Sequence, residues 1–415
     1  MTARPLHALL LPPSAGGQLL AALAAALDGT GPAILPLDPG LPQARLAALL
    51  DAFAPDAVVT PDGARPRRPA GGGRGSQGGV PDGTAVVIAT SGSTGEPKGV
   101  LLTAGALLHS ARASLARIGA RTGSRPGGRW LCPLPVSHIA GLGVLVRSLA
   151  AGTEPVITGR LDPGGADPAA LGCGYVSLVP TQLRRLLAAG ADLASFDAIL
   201  LGGAAIPPGL LARAGAAGAR VITTYGMSET CGGCVYDGTP LAGVTAGPGP
   251  DGLIRISGPV LFAGYHRQPE LTGRMLSGGE FRTADLGRIE ADGRLTVLGR
   301  ADDMINTGGE KVAPAQVAAV LETCPGVAEA AVIGQPDPEW GQRVTAVVVP
   351  ADPAAPPELA ALRALVSEQI AGYAAPRSLV LIPALPLLPS GKPDPAALQA
   401  LASRAAPAPR EARSG

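Results

Sequence analysis

The sequence predicts a layered α/β protein with a smaller α+β unit at its C-terminal end, and three patterns carry that expectation. First, short runs that are apolar on both faces recur between helical stretches: "TAVVIA" at 84–89, "GRWLCPLP" at 128–135, "GTEPVIT", "YVSLVP", "DAILLGG" and "ARVITTYG". Such runs are what strands of a buried, parallel sheet look like. Second, from about residue 251 the pattern turns to alternating strands separated by glycine turns, "GLIRISG" and "GRIEADGRLTVLGR". "ADGR" between two alternating segments is a hairpin signal, and this part is expected to be β-barrel-like. Third, after Arg300 the order hairpin, helix, strand, strand, helix, strand describes a compact α+β unit of about a hundred residues.

Taken in chain order, "GGQLLAALAAALDG" is helical by its apolar spacing and ends at Gly29, and "GPAILPLDPG" is a strand entering a turn. "LPQARLAALLDAF" is again helical and "PDAVVT" again a strand, the alternation expected of parallel layers. Residues 61–83 have almost nothing to bury and are expected to form a flexible loop. Beyond residue 300 the helices are "PAQVAAVLETC" and "PELAALRALVSEQIA", the strands "VAEAAVIG", "RVTAVVVP" and "SLVLIP". A domain boundary is expected near 300–302, dividing residues 1–300 from 301–405, with a disordered tail over 406–415.

The chain has 415 residues, enough for two or three domains at roughly 150 residues each. A hydrophobic content of 46% supplies a real core, and with only 3% aromatics that core must be mostly Ala, Leu and Val. The formal net charge of +1 lacks the long-range field of a nucleic-acid or anionic-membrane binder, so phosphate binding has to be local. The four arginines of the 61–83 stretch have no aromatics between them and read as solvated. No apolar run approaches the roughly 18–20 residues of a membrane helix, and the start is a poor secretory signal. A cytoplasmic protein with no membrane insertion is expected. Five cysteines, an odd number, do not suggest a disulfide framework. Cys231 and Cys234 read as two small residues in a tight segment rather than a metal site.

The segment "TSGSTGEPKG" follows one strand and precedes another. It is not the Walker sequence, so no helix dipole stands directly behind it. Glycines free its backbone amides to converge on one oxygen cluster. Thr90, Ser91, Ser93 and Thr94 add hydroxyl donors, and Lys98 adds a mobile charge. A surface turn is the plainer reading; the density of small and hydroxyl residues beside a lysine favours a phosphate cradle.

This segment closely resembles the phosphate loop of the adenylate-forming superfamily: acyl- and aryl-CoA synthetases, peptide-synthetase adenylation domains and luciferases. "PLPVSHIAGL", "LLGGAAIP", "TTYGMSET", "FRTADLG", "GRADDMINTGGEKVAP" and "LPSGKPD" follow in the superfamily's order. The resemblance covers nearly the whole chain. The region ahead of the loop is shorter than in most members, which predicts a trimmed first subdomain. The resemblance implies an ATP-dependent, acid-activating enzyme with Mg²⁺, a large N-terminal domain and a small mobile C-terminal lid.

Position by position, it implies that Lys392 bridges carboxylate and α-phosphate, and that Glu229 is the acidic ligand of the metal. It places Thr230 and Thr94 on the phosphates within the cradle Thr90, Ser91, Gly92, Ser93, Thr94, Gly95 and Lys98. Tyr225 and Gly226 are implied beside the adenine, with Gly202, Gly203 and Ala204 leaving room for the flat base. Asp285 would accept from the ribose hydroxyls and Arg300 would hold ribose and phosphate. Asp302 matches the hinge, where an exposed residue at a strand end absorbs a backbone change at little cost. Gly308 and Gly309 would line a channel for coenzyme A.

Within the superfamily, "PLPVSHIAGLGVLVRSLAAGTEPVI" is most similar to the o-succinylbenzoate–CoA ligase family of menaquinone biosynthesis. His138 matches the position between acyl pocket and CoA channel, with Gly202, Thr224 and Met227 on the acid side. Arg147 lies nine residues on, inside an otherwise apolar stretch. A buried unpaired arginine is costly, so it should have an anionic partner. A second carboxylate on the substrate suits its guanidinium fork; a structural ion pair or a helix-end arginine reaching solvent are the other readings. Other aryl- or acyl-CoA ligases, a stand-alone enzyme loading a carrier protein and a non-catalytic nucleotide sensor stay open, as does a homodimer.

Overall fold

Each apolar run named above becomes a strand, and glycine ends many of the helices between them. In the computed structural model, which describes residues 3–67, 79–91, 97–123, 128–159, 171–387 and 393–405, the first helix spans Gly16–Asp28. It stops at Gly29, whose φ of 83° is the left-handed value that a helix C-terminus favours. The helices Ala104–Thr122 and Ile139–Ala151 likewise end on left-handed Gly123 and Gly152.

The described chain divides into two compact units. One takes in the described residues up to Gly203, then Ala214–Thr283 and Ile289–Thr296; the other takes in Ala204–Arg213, Ala284–Arg288 and the described residues from Val297 onward. The expected boundary at Arg300 and Ala301 falls at the end of the strand Leu295–Arg300, which both units share.

In the larger unit an eight-stranded sheet runs Gly264–Tyr265, Pro97–Thr103, Thr84–Ser91, Ala33–Pro36, Ala3–Leu9, Ala57–Thr60 and Gly63–Pro66, with Gly79–Pro81 beside Ala3–Leu9. Its centre is parallel. A seven-stranded sheet runs Thr239–Pro240, Gly232–Tyr236, Val221–Met227, Ala198–Gly202, Cys173–Leu178, Arg129–Cys132 and Val156–Ile157. The last five of these are parallel. Their strands are apolar on both faces because helices cover them. Leu107, Ile118, Leu142 and Leu145 from those helices join Trp130, Tyr175 and Val86 in one buried cluster. The part expected to be β-barrel-like forms a five-stranded sheet of Thr245–Pro248, Leu253–Ser257, Glu280–Ile289, Leu276–Ser277 and Leu295–Arg300. The smaller unit has a five-stranded sheet: Glu310–Val312, Ile305–Thr307, Gly341–Pro350 and Val327–Asp337, with Ser378–Leu381 parallel to Gly341–Pro350. Helices Pro314–Leu321 and Leu359–Gln369 bury Val317, Leu321, Leu362 and Val366 against it.

The 61–83 stretch differs from expectation. Gly63–Pro66 turns back on Ala57–Thr60 as a hairpin strand, and Gly79–Pro81 pairs with Ala3–Leu9, burying Val80. Its charged and glycine-rich composition hid this because edge strands draw their stability from ladder hydrogen bonds as much as from burial. Residues 68–78 of that stretch and the 406–415 tail lie outside the described residues. Among the described residues no helix is long and apolar enough to cross a membrane.

Candidate active site

The described ends of the segment 90–99 lie in two paired strands. Thr84–Ser91 and Pro97–Thr103 pair antiparallel, with Thr90 opposite Lys98 and Ser91 opposite Pro97. Thr90, Ser91 and Lys98 therefore stand in the ladder, not in an open loop, and the Thr90 hydroxyl donates to the Lys98 carbonyl at 3.3 Å. Gly92, Ser93, Thr94 and Gly95 lie outside the described residues.

The strand Val221–Met227 brings Thr224, Tyr225, Gly226 and Met227 into line and runs directly into a single 3₁₀ turn, Ser228–Thr230. Gly202 sits opposite Thr224 on the neighbouring strand. Gly203 follows with a φ of 81°, and Ala204 continues the same connection. Gly226 is required by close approach: a Cβ there would collide with the Gly232 carbonyl on the adjacent strand. We expect Gly226→Ala to cost on the order of 2 kcal/mol, within the range seen when packing or backbone geometry is violated. A calorimetric melt lowered by several degrees would register it; an unchanged melt would mean that the two strands separate freely.

Thr230, whose hydroxyl was expected on the phosphates, bonds within its own turn. The residue is 0% exposed. Its Oγ1 accepts from the Met227 N–H at 2.9 Å and donates toward the Gly232 carbonyl at 2.7 Å. That hydroxyl closes the turn from which Glu229 projects. Cys231 and Cys234, both buried, follow at once, and burial raises both thiols, that of Cys234 to about 12. Neither is a thiolate nucleophile at neutral pH.

Glu229 is half-buried, and its Oε1 accepts a 2.8 Å hydrogen bond from the Tyr265 hydroxyl. Tyr265 lies on the short strand Gly264–Tyr265, opposite Val100 of the phosphate hairpin. Its ring is met edge-on by Phe262, with centroids 4.9 Å apart, and the Lys98 ammonium stands 5.9 Å from its centroid. Burial first, and the Glu229 carboxylate second, raise the phenol above its ordinary pKa, so it remains a protonated donor.

A second constellation lies on the seven-stranded sheet. His138 is exposed and forms the N-cap of the helix Ile139–Ala151. Arg147, on the same helix, reaches back over the sheet. Its Nη2 donates to the Ser177 hydroxyl at 2.9 Å, and the guanidinium carbon sits 4.5 Å from the centroid of the fully buried Trp130 ring. Nε of Arg147 is enclosed with no hydrogen-bond partner, and Arg147 has no ion pair among the described residues. Burial lowers the guanidinium pKa, opposed by Tyr236 and Cys132, but arginine stays charged.

In the smaller unit, Arg300 forks onto Asp302: Nε reaches Oδ1 at 2.9 Å and Nη2 reaches Oδ2 at 2.7 Å. This bond raises the Arg300 pKa and lowers that of Asp302. Asp285 and Asp303 add to the field at Arg300. Asp303 is itself raised, by burial and then by Asp302. Asp302, the expected hinge residue, is thus paired with Arg300. Gly308 lies flat on Trp340, donating its N–H to the Trp340 carbonyl, and a Cβ there would press within 2.7 Å of the indole. Gly309 completes that turn with a φ of 86°. Lys392 lies outside the described residues.

Residues 68–266 match the AMP-binding enzyme family and residues 316–392 match the AMP-binding enzyme C-terminal domain. A probable 2-succinylbenzoate–CoA ligase of Mycobacterium tuberculosis is 46% identical over 331 residues, covering 77% of this chain and 85% of that protein. This chain belongs to the AMP-binding enzyme family. Among other relatives of this AMP-binding enzyme, a feruloyl-CoA synthase of an Amycolatopsis species is 36% identical, over 75% of this chain and 68% of its own. The o-succinylbenzoate CoA synthetase MenE of Bacillus subtilis, solved with the acyl-adenylate intermediate OSB-AMP, superposes with a TM-score of 0.76 at 27% identity, covering 94% of this chain and 87% of its own. The same MenE is also solved with ATP and magnesium ion.

Sequence reasoning missed Tyr265, Ser177, Trp130 and Trp340 as neighbours of the site residues of this AMP-binding enzyme. The chain has only five tyrosines and two tryptophans. A tyrosine inside an apolar segment such as "VLFAGY" needs a partner for its hydroxyl, a signal that could have pointed to an acidic neighbour.

Proposed function

We propose that this AMP-binding enzyme is an o-succinylbenzoate–CoA ligase acting in two steps. The acid's side-chain carboxylate attacks the α-phosphorus of ATP, giving acyl-adenylate and pyrophosphate; the thiol of coenzyme A then attacks the acyl carbon and releases AMP. Two anions must meet in the first step, so positive charge placed between them in the transition state supplies the rate. Lys392 takes that role. Lys98 and the hydroxyls of the hairpin tip hold the departing phosphates, and the strand Val221–Met227 with Gly202, Gly203 and Ala204 forms the adenine and acid walls. Asp285 accepts from the ribose hydroxyls. Arg300 leaves Asp302 for the nucleotide, and Asp302, once released, serves as the hinge of a C-terminal lid. The second pose of that lid brings the Gly308–Gly309 turn, flat against Trp340, to the pantetheine arm, with His138 at the junction of acyl pocket and channel.

The residues also fit magnesium. Glu229 offers a hard, half-buried carboxylate. One protein carboxylate with the remaining positions filled by substrate phosphates and water is a usual magnesium arrangement. When bound, the metal supplies charge neutralisation at the phosphates.

The observation that carries the choice of acid is Arg147: an enclosed guanidinium, backed by Trp130 and Ser177, with no ion pair among the described residues. The ring carboxylate of o-succinylbenzoate supplies what it lacks. Pyrophosphate release across a panel of aryl, dicarboxylic, amino and fatty acids tests this, with o-succinylbenzoate expected to give the highest kcat/KM. The similarity to a feruloyl-CoA synthase favours a second aryl acid reading; ferulate outperforming o-succinylbenzoate would establish it and remove the first.

A further inference from the structure

We propose that Tyr265 is a positioning residue for the metal-binding carboxylate, its hydroxyl holding one oxygen of Glu229 while its ring stands under the Lys98 ammonium. The inference rests on the reading of Glu229 as the magnesium ligand. Three segments far apart in sequence meet here: the stem of the phosphate hairpin, the 3₁₀ turn after the Val221–Met227 strand, and Gly264–Tyr265. The tyrosine backbone is fixed on both sides. It pairs with Val100 in the ladder, and its N–H donates to Thr272 Oγ1 at 2.8 Å. Phe262 packs on its ring, and the Phe262 N–H in turn donates to the Glu229 carbonyl at 2.9 Å. At 5% exposure the phenol has little solvent to bond instead.

A glutamate on a one-turn helix has three rotatable bonds and is otherwise free to swing. The 2.8 Å bond to Oε1 restricts it to orientations in which Oε2 stays available to a cation. Outer hydrogen bonds of this kind orient metal-binding carboxylates, and removing one typically weakens metal affinity by 10–100-fold. The ring supplies a second link. A cation within about 6 Å of an aromatic face is attracted to it, so Tyr265 ties the position of Lys98 to that of Glu229. The two charges that would meet the same phosphates then move as one group.

The test measures Mn²⁺ binding by electron paramagnetic resonance, with a non-hydrolysable ATP analogue present, in the full-length protein and in three variants. Glu229→Gln is expected to weaken Mn²⁺ binding at least tenfold. Tyr265→Phe keeps the ring and its packing, and is expected to weaken Mn²⁺ binding about tenfold with melting temperature held within a few degrees. In the Glu229→Gln background, adding Tyr265→Phe should change binding less than twofold, because the bond it deletes no longer has its carboxylate. Tyr265→Phe binding Mn²⁺ as well as the unaltered protein overturns the positioning role. Additive losses in the double variant overturn it also, by placing the effect of Tyr265 elsewhere. If Glu229→Gln itself binds Mn²⁺ normally, the reading of Glu229 as metal ligand falls instead, and with it the basis of this inference.

Discussion

Replacing Lys392 with alanine is expected to slow adenylate formation by at least 10²–10³-fold, roughly the loss seen when a single preorganised charge-stabilising donor is removed. The reason is geometric. A carboxylate approaching an α-phosphate meets like charge along the whole path, and an ammonium between the two oxygens offsets it at the moment of bond formation. On the proposed reading the ground state needs no such group, because Lys98 and the proposed adenine wall hold ATP without it. Equilibrium ATP binding is therefore expected to change less than about threefold, a difference below 1 kcal/mol. On the proposed two-pose reading, thioester formation from pre-made acyl-adenylate should keep most of its rate, since it does not call on the lysine. Rapid-quench measurement of both half-reactions checks this. Equal losses in the two would contradict a lid with two poses, and unchanged pyrophosphate release would remove Lys392 from the chemistry.

Arg147→Ala is expected to raise KM for o-succinylbenzoate by roughly 30-fold or more, corresponding to about 2 kcal/mol for a charge-assisted bond to a carboxylate. Benzoate, which lacks the second carboxylate, should lose only a few-fold. The fold itself should tolerate the change. Among the described residues Arg147 makes one hydrogen bond, to Ser177, stacks on Trp130 and balances no acid. Removing it leaves no orphaned carboxylate, and relieves the burial of an uncompensated charge. Steady-state kinetics on both acids, with a thermal melt of the variant, check the pair of expectations. Equal losses on the two acids would take Arg147 out of the acid pocket. A melt lowered by ten degrees or more would make its role structural.

Much of the architecture was legible because periodicity and punctuation agree. The run "GGQLLAALAAALDG" spaces its leucines for one helix face and ends on the glycine that takes the left-handed cap. "AVVIA", "YVSLVP" and "DAILLGG" are apolar on both faces because helices cover both sides of their sheets. The short edge strands Gly63–Pro66 and Gly79–Pro81 were not legible, since their residues carry no apolar alternation and their pairing partners lie elsewhere in the chain. At the candidate site, motif spacing located the segments but not the destination of each polar group. Thr230 directs its hydroxyl into its own turn, a choice among nearby acceptors that local sequence does not decide. Arg300 meets Asp302 two residues on, because a bend after the strand brings them side by side. The bond from Tyr265 to Glu229 spans 36 positions, and only the pairing of Gly264–Tyr265 with the phosphate hairpin brings it about.

In the proposed first step a single carboxylate oxygen of o-succinylbenzoate becomes bonded to the α-phosphorus of ATP before coenzyme A attacks. Mass spectrometry of the AMP released from substrate carrying heavy oxygen in its side-chain carboxylate tests this directly. AMP is expected to carry one heavy oxygen per turnover and pyrophosphate none. Label in pyrophosphate or inorganic phosphate, or unlabelled AMP accompanying thioester formation, would contradict it.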